Sequence, residues 1–233
     1  MFLPTNFPEE PIKKRMSGSP ATLYYIHDPM CSWCWGFVPV WEQVQTWLNE
    51  QMSDEVKIRY VLGGLAPDSD QPMPADMQAS IRSNWLRIQQ TIAGISFNYG
   101  FWAVCRPRRS TYPSCRAIIA CNMQRPELKH QMLLAIQQAY YLYAKNPSDT
   151  SVLIKLAEDI GLDGEVFSSD LNSEACNEQL ENELLLTREL GVSSFPSLVL
   201  SKDDLFMDIP IDYQSSKNIL RLICLHLEGG TRR

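Results

Sequence analysis

Thr22-Leu-Tyr-Tyr-Ile-His-Asp28-Pro-Met-Cys31-Ser-Trp-Cys34-Trp-Gly-Phe37 places a Cys-x-x-Cys pair where a strand turns into a helix. Residues 22–28 are apolar and rich in β-branched and aromatic types, the composition of a buried strand. From Trp35 to Leu48 apolar residues recur at helical spacing. A cysteine at such a junction lies among the unpaired N–H groups of a helix N-terminus, where partial positive charge favours thiolate over thiol. Cys34 follows one turn later on the same helix face. The two sulfurs can therefore bond without unwinding the helix, which suits a dithiol that closes and reopens.

Two other uses of such a pair compete with that one. Tetrahedral zinc needs four ligands, of which one Cys-x-x-Cys supplies two. The sequence has no second such pair and no His-x-x-x-His, and Cys105, Cys115, Cys121, Cys176 and Cys224 are scattered. No metal is therefore expected. Two buried structural cysteines are the other alternative. They leave the strand-to-helix position and the exposed-looking Ser32-Trp33 between them unexplained.

At 233 residues the chain can bury a full core, as one large domain or one domain with an insertion. Its formal net charge of −6 argues against a nucleic-acid surface or an anionic membrane as partner. Arg106, Arg108 and Arg109 form the densest basic spot beyond the N-terminal arm and read as a solvated loop. No apolar run approaches the roughly 20 residues that a bilayer requires. Met1 to Pro11 carries prolines and acids where a signal peptide has a basic start and an apolar centre. A cytoplasmic location is the expectation, and there most thiols stay reduced. Seven cysteines without framework spacing then fit free buried thiols plus one reactive pair.

Residues 1–20 read as an irregular, proline-rich arm. In residues 21–64 a strand, a helix over about 34–49 and the alternating strand Glu55 to Leu62 make a right-handed βαβ unit with a parallel pair. Residues 65–190 turn helical: Met77 to Ile88, Pro113 to Met123 with Ser110 or Thr111 as cap, and Pro126 to Lys145. Asp149 to Ile160 is next, stopped by Gly161, and Ser173 to Leu190 ends at Gly191. Phe97 to Arg109 has no pattern that places it. Residues 191–233 return to strands, Ser197–Ser201 and Leu205–Ile209 as a hairpin, before an amphipathic helix from Lys217 to Glu228.

That order, β-α-β, an all-helical insertion between the second and third strands, then β-β-α, resembles the thioredoxin fold of the DsbA family of thiol-disulfide oxidoreductases. Within that family it looks most like the cytoplasmic FrnE-like branch. Asp28-Pro-Met-Cys-Ser-Trp-Cys-Trp-Gly-Phe37 and Gly191-Val-Ser-Ser-Phe-Pro-Ser-Leu198 carry the resemblance, which covers nearly everything after residue 20. It implies an α/β protein and an enzyme without a bound cofactor. Its partners would be protein thiols and disulfides, or small thiols such as glutathione. Cys31 would be the exposed nucleophile and Cys34 the more buried resolving thiol. Ser32 and Trp33 fill the dipeptide that tunes the pair. They lack the Pro-His of strongly oxidising periplasmic members, so a less oxidising pair is implied. Pro39, inside the helix, matches a kink common in thioredoxin-like helices. Pro196 would be a cis-proline opposite the cysteines, leaving a backbone edge free for a substrate strand. Phe195 would face the active-site sulfur where relatives usually carry valine or threonine. Read from the residues alone, Pro196 is also compatible with an ordinary trans proline opening a strand.

Asp28 reads either as a buried proton acceptor for Cys34 or as a turn or cap residue. His27 reads as a core or edge histidine, and His130 and His226 as surface residues on amphipathic helices. Trp33 is expected to be the exposed member of the aromatic set Trp33, Trp35, Phe37, Trp41 and Trp47, forming an apolar lip. Two other functions stay open. One is a glutathione-dependent transferase or isomerase of the kappa or chromene-carboxylate type, for which a second cysteine is superfluous. The other is a non-enzymatic binding module switched by the redox state of the pair.

Overall fold

The two halves read from the sequence meet in one mixed sheet of order β2-β1-β3-β4. β1 (Ala21–His27) pairs in parallel with β2 (Val56–Leu62), and α1 (Ser32–Gln51) is the crossover between them. β3 (Ser197–Lys202) lies antiparallel to β1, and β4 (Leu205–Ile209) lies antiparallel to β3. The computed structural model describes residues 19–229. The expected arm lies almost wholly outside the described residues.

Alternation along the strands sorts side chains to the two faces. Leu23 and Tyr25 of β1, Leu198 and Leu200 of β3 and Ile209 of β4 pack with Phe37, Val40, Trp41 and Val44 of α1. Ile219, Ile223 and Leu227 of α9 (Ser216–Gly229) close that layer. The opposite face presents Ile26, Val61 and Val199, covered by Leu186 of α8 (Glu174–Glu189), by Leu190 just past its end and by Val192 and Phe195. Glu183 of α8 also accepts the Leu62 N–H (3.0 Å), occupying a donor at the end of edge strand β2.

Between β2 and β3 the chain is helical. α2 (Ala75–Thr91) and a single turn, α3 (Phe101–Val104), precede α4 (Tyr112–Gln124), α5 (Lys129–Tyr141), α6 (Thr150–Asp159), α7 (Gly164–Leu171) and α8. Ile118, Met132, Ile136, Leu153, Phe167 and Leu180 form a core within this block. A separate aromatic cluster joins it to α1: buried Trp85 stacks on Phe97 (4.9 Å), and Tyr141 stacks on Trp35 (5.6 Å). Trp35 also donates from Nε1 to the Ser96 carbonyl (3.2 Å). α1 is thereby held from both sides, by the sheet and by the insertion.

Some local expectations change. The helix read from Pro126 to Lys145 is a 3-10 turn at Pro126–Leu128 followed by α5, which stops at Tyr141. Ala144 adopts a left-handed φ of 51°, and the Lys145 N–H turns back to the Ala139 carbonyl (2.8 Å), which closes the helix early. α7 was not anticipated. Its cap is Asp163, whose carboxylate accepts from Glu165 N (2.9 Å) and Val166 N (3.0 Å). Arg108 is not solvated loop: its guanidinium bonds Asp149 (2.7 Å) and the Ser148 carbonyl (2.6 Å), tying residues 105–110 to the start of α6. His226 is half-buried over the Leu222 carbonyl, whereas His130 is exposed as expected. Among the described residues no helix is long and apolar enough to cross a membrane.

Candidate functional site

Asp28 makes the turn that delivers the cysteines. Directly after β1, its carboxylate accepts the Met30 N–H (2.8 Å) and its carbonyl accepts the Cys31 N–H (3.1 Å). The chain reverses at Pro29-Met30, and Cys31 becomes the N-cap of α1 with extended backbone (φ −79°, ψ 116°). The Cys31 carbonyl then accepts the first helical bond, from Trp35 N (3.1 Å). The Cys31 side chain makes no cap bond to α1. Its Sγ donates instead to the Phe195 carbonyl (3.3 Å), across 164 residues of sequence. The Phe195–Pro196 peptide bond is cis. The two sequence motifs thus converge on one sulfur.

Cys34 is fully buried one turn into α1. Burial pushes its thiol well above the usual range, a hydrogen bond with the Cys31 thiol adds to that, and the Asp28 backbone works against it. Cys31 is not the exposed residue expected. It is 7% accessible, because the Phe195 carbonyl covers the sulfur and the flanking Met30, Cys34 and Trp35 are buried. Ser32 and Trp33 are half-buried. The Trp33 ring packs on Tyr213 (5.1 Å) and carries the Arg87 guanidinium above it (5.4 Å), so the apolar lip is partly covered. Phe195 meets the sulfur through its carbonyl. The ring lies over Gly63, where an added Cβ would come within 2.1 Å of it. Only glycine leaves room for that contact.

Asp28 is completely buried and is a turn residue as well as a buried acid. Beyond Met30, its second oxygen accepts from Leu65 N (2.7 Å), the Thr111 hydroxyl (2.6 Å) and, more distantly, the Cys115 thiol (3.7 Å). Burial raises its carboxyl above the usual carboxylate range, and these donors offset part of the rise. Thr111 sits at the N-cap of α4 but caps nothing with its side chain, because the hydroxyl is committed to Asp28. His27, before Asp28, is a core residue stacked on Tyr25 (5.1 Å), with Nδ1 lacking a partner among the described residues. Burial first, then Lys129 and His130, pushes its imidazole down to about 3.

A groove of about 570 Å³ opens beside the pair, walled by Trp33, Pro196, Ile209, Ile211 and Tyr213, with Asp208 on its side. Sequence reading missed Tyr213, Thr111, Cys115 and Gly63. Gly63-Gly64 has only the composition of a break after β2, and nothing local in the others marks proximity to residues 28–34. Among the described residues no group of three or more His, Cys, Asp or Glu side chains is arranged to hold a metal.

A family model described as thioredoxin matches residues 24–212. Among curated proteins the chain is similar to the ClpXP adapter protein SpxH of Halalkalibacterium halodurans, 24% identical over 82% of this chain and 62% of that one. SpxH of Bacillus subtilis is 26% identical over 77% and 58%. The chain thus spans about three fifths of the length of the curated relatives it matches. Among solved structures, a candidate protein disulfide isomerase of Nitrosomonas europaea superposes with a TM-score of 0.77 at 26% identity, over 91% of this chain and 99% of that one. The cytosolic disulfide reductase DsbM of Pseudomonas aeruginosa shares the fold, with a TM-score of 0.67 at 24% identity over 88% and 98%. DsbM has also been solved with GSH. With a mixed four-stranded sheet, an all-helical insertion, and a family match across both halves, the chain belongs to the thioredoxin family, in the DsbA-like arrangement.

Proposed function

We propose that the chain is a cytoplasmic thiol-disulfide oxidoreductase or isomerase, exchanging electrons through Cys31 and Cys34 with protein thiols or with small thiols such as glutathione. The observation that carries this reading is the contact of Cys31 Sγ with the Phe195 carbonyl, which sets a helix N-cap thiol against the cis-proline segment. Acting as a reductant, the Cys31 thiolate attacks one sulfur of a substrate disulfide. A mixed disulfide forms and the other substrate sulfur leaves as thiolate, taking up a proton. Cys34 then gives its proton to Asp28 and attacks Cys31 Sγ. The Cys31–Cys34 disulfide forms, the second substrate thiol is released, and two electrons have passed to the substrate. The reverse sequence oxidises a dithiol, and relative reduction potentials set the direction.

Asp28 suits the acceptor role because burial makes its carboxylate a stronger base than usual while Met30, Leu65 and Thr111 keep it oriented. Insulin reduction and refolding of scrambled ribonuclease, run beside glutathione binding, test the reading. Cys31→Ser should abolish turnover; full activity in that variant would refute the assignment of the nucleophile.

A second reading is favoured by the relatives named ClpXP adapter proteins: a binding module whose affinity follows the redox state of the pair. It predicts partner capture that differs between oxidised and reduced protein, with negligible turnover. A glutathione-dependent transferase or isomerase draws on the DsbM structure with GSH. It predicts tight glutathione binding without a titratable internal disulfide, and it leaves Cys34 without a task.

A further inference from the structure

We propose that Asp208 makes the groove beside Cys31 selective for polypeptides with a basic side chain next to the reacting cysteine. The inference rests on the exchange reaction proposed above and names its substrate class. A groove of about 570 Å³ admits either a glutathione-sized molecule or a few residues of extended chain, so size alone does not choose. Charge does. Asp208 is the one charged residue in the lining, and the remaining walls are apolar or small and hydroxylic. It is exposed on β4 opposite Val199 and enters no ion pair among the described residues.

The surrounding sequence reinforces that sign. From Asp203 to Asp212 the chain carries four aspartates and no lysine or arginine. Hydrogen bonds from Asn218 and the Gln214 and Ser215 backbone hold the Asp212 carboxyl below the usual range, which favours its ionised form. Glutathione brings two carboxylates against one ammonium and finds no cation in the lining. Arg87 lies over the Trp33 ring and is not part of that lining. An extended polypeptide offers a neutral backbone, apolar side chains for Trp33, Ile209 and Tyr213, and, with lysine or arginine, a charge of the sign Asp208 attracts.

The test uses the reduced full chain and three disulfide probes: two matched peptides carrying lysine or glutamate beside the half-cystine, and oxidised glutathione. Stopped-flow rates at low salt should favour the lysine peptide over the glutamate peptide by about two- to five-fold, the upper part of the range expected for an exposed charge pair. Oxidised glutathione should be slower than the lysine peptide. The bias should shrink toward unity in Asp208→Asn, reverse in Asp208→Lys, and fade in wild type as salt rises. The salt series needs no variant, so it decides even if a substitution disturbs β4. Equal peptide rates, a bias unchanged in Asp208→Asn, or glutathione as the fastest probe would overturn the proposal. Reaction of no probe, with wild type matching Cys31→Ser, would instead remove the exchange reading and the selectivity built on it.

Discussion

Replacing Gly63 by alanine should damage stability and chemistry together, through the Phe195 ring. A Cβ at residue 63 would lie 2.1, 2.2 and 2.7 Å from three atoms of that ring. Carbon atoms rest at about 3.5–4 Å, so the ring must retreat by roughly 1.5 Å. It cannot do so freely, because it packs with Ile26, Val61 and Val199 on the face covered by α8. Overpacking of this kind costs about 1–3 kcal/mol. For a chain of this size that lowers the thermal midpoint by roughly 2–12 °C. The backbone that carries the ring also carries the carbonyl bonded to Cys31 Sγ at 3.3 Å, so the rate of thiol exchange should fall as well. Denaturant titration and single-turnover kinetics should be run on Gly63→Ala, Phe195→Val and the double variant. Valine removes the clashing atoms, so the alanine should cost less than about 0.5 kcal/mol in that background, a clear departure from additivity. An equal cost in both backgrounds would refute the argument that the ring is what Gly63 makes room for.

Three further outcomes concern His27, Asp28 and the α7 cap. His27 sits near 6.5 when unfolded and about 3 when folded, chiefly through burial. Between those values the unfolded chain binds a proton that the native state refuses, so stability is full above about pH 6.5 and falls as pH drops. The slope is about 1.4 kcal/mol per unit, reaching about 5 kcal/mol below pH 3. Asp28, raised by burial, acts with opposite sign, which makes the comparison with His27→Phe the informative one. That variant keeps the contacts to Tyr25 and Tyr60 and should flatten the acid limb in urea titrations; an unaltered limb contradicts the assignment. Asp28→Asn should slow release of a preformed Cys31 mixed disulfide by about 100-fold or more and remove the rise of that rate with pH. An unchanged single-turnover decay would take Asp28 out of the proton path. Asp163→Ala, which deletes the α7 cap, should cost about 1 kcal/mol in denaturant titration and leave exchange rates unaltered.

What the sequence made legible was set by patterns confined to neighbours along the chain. The apolar, aromatic run at 22–28, alternation from Glu55 to Leu62, helical spacing after Cys34 and the return of strand signals at 197 were enough for the sheet and its insertion. The two cysteines and Phe195-Pro196 were legible as two motifs, and their meeting at one sulfur followed from the resemblance. What stayed hidden depends on contacts made in three dimensions. Thr111 has the composition of a cap and spends its hydroxyl on Asp28 instead. Phe195 could be placed at the cysteine from its position before Pro196, but that its carbonyl makes the contact while its ring fills the space over Gly63 is a matter of packing. Tyr213 reaches Trp33 and Phe37 only because α9 packs on α1. Arg108 looked solvated because its partner Asp149 is 41 residues distant.

Peptide mass mapping of Cys34→Ser after a brief reaction with a disulfide probe tests the central claim most directly. Without a resolving thiol the mixed disulfide should persist, on Cys31 and nowhere else, and Cys31→Ser should yield no such adduct. Adducts on the half-exposed Cys105 or Cys224 with Cys31 unmodified would contradict the account, because the sulfur at the start of α1 would then not be the one that reacts.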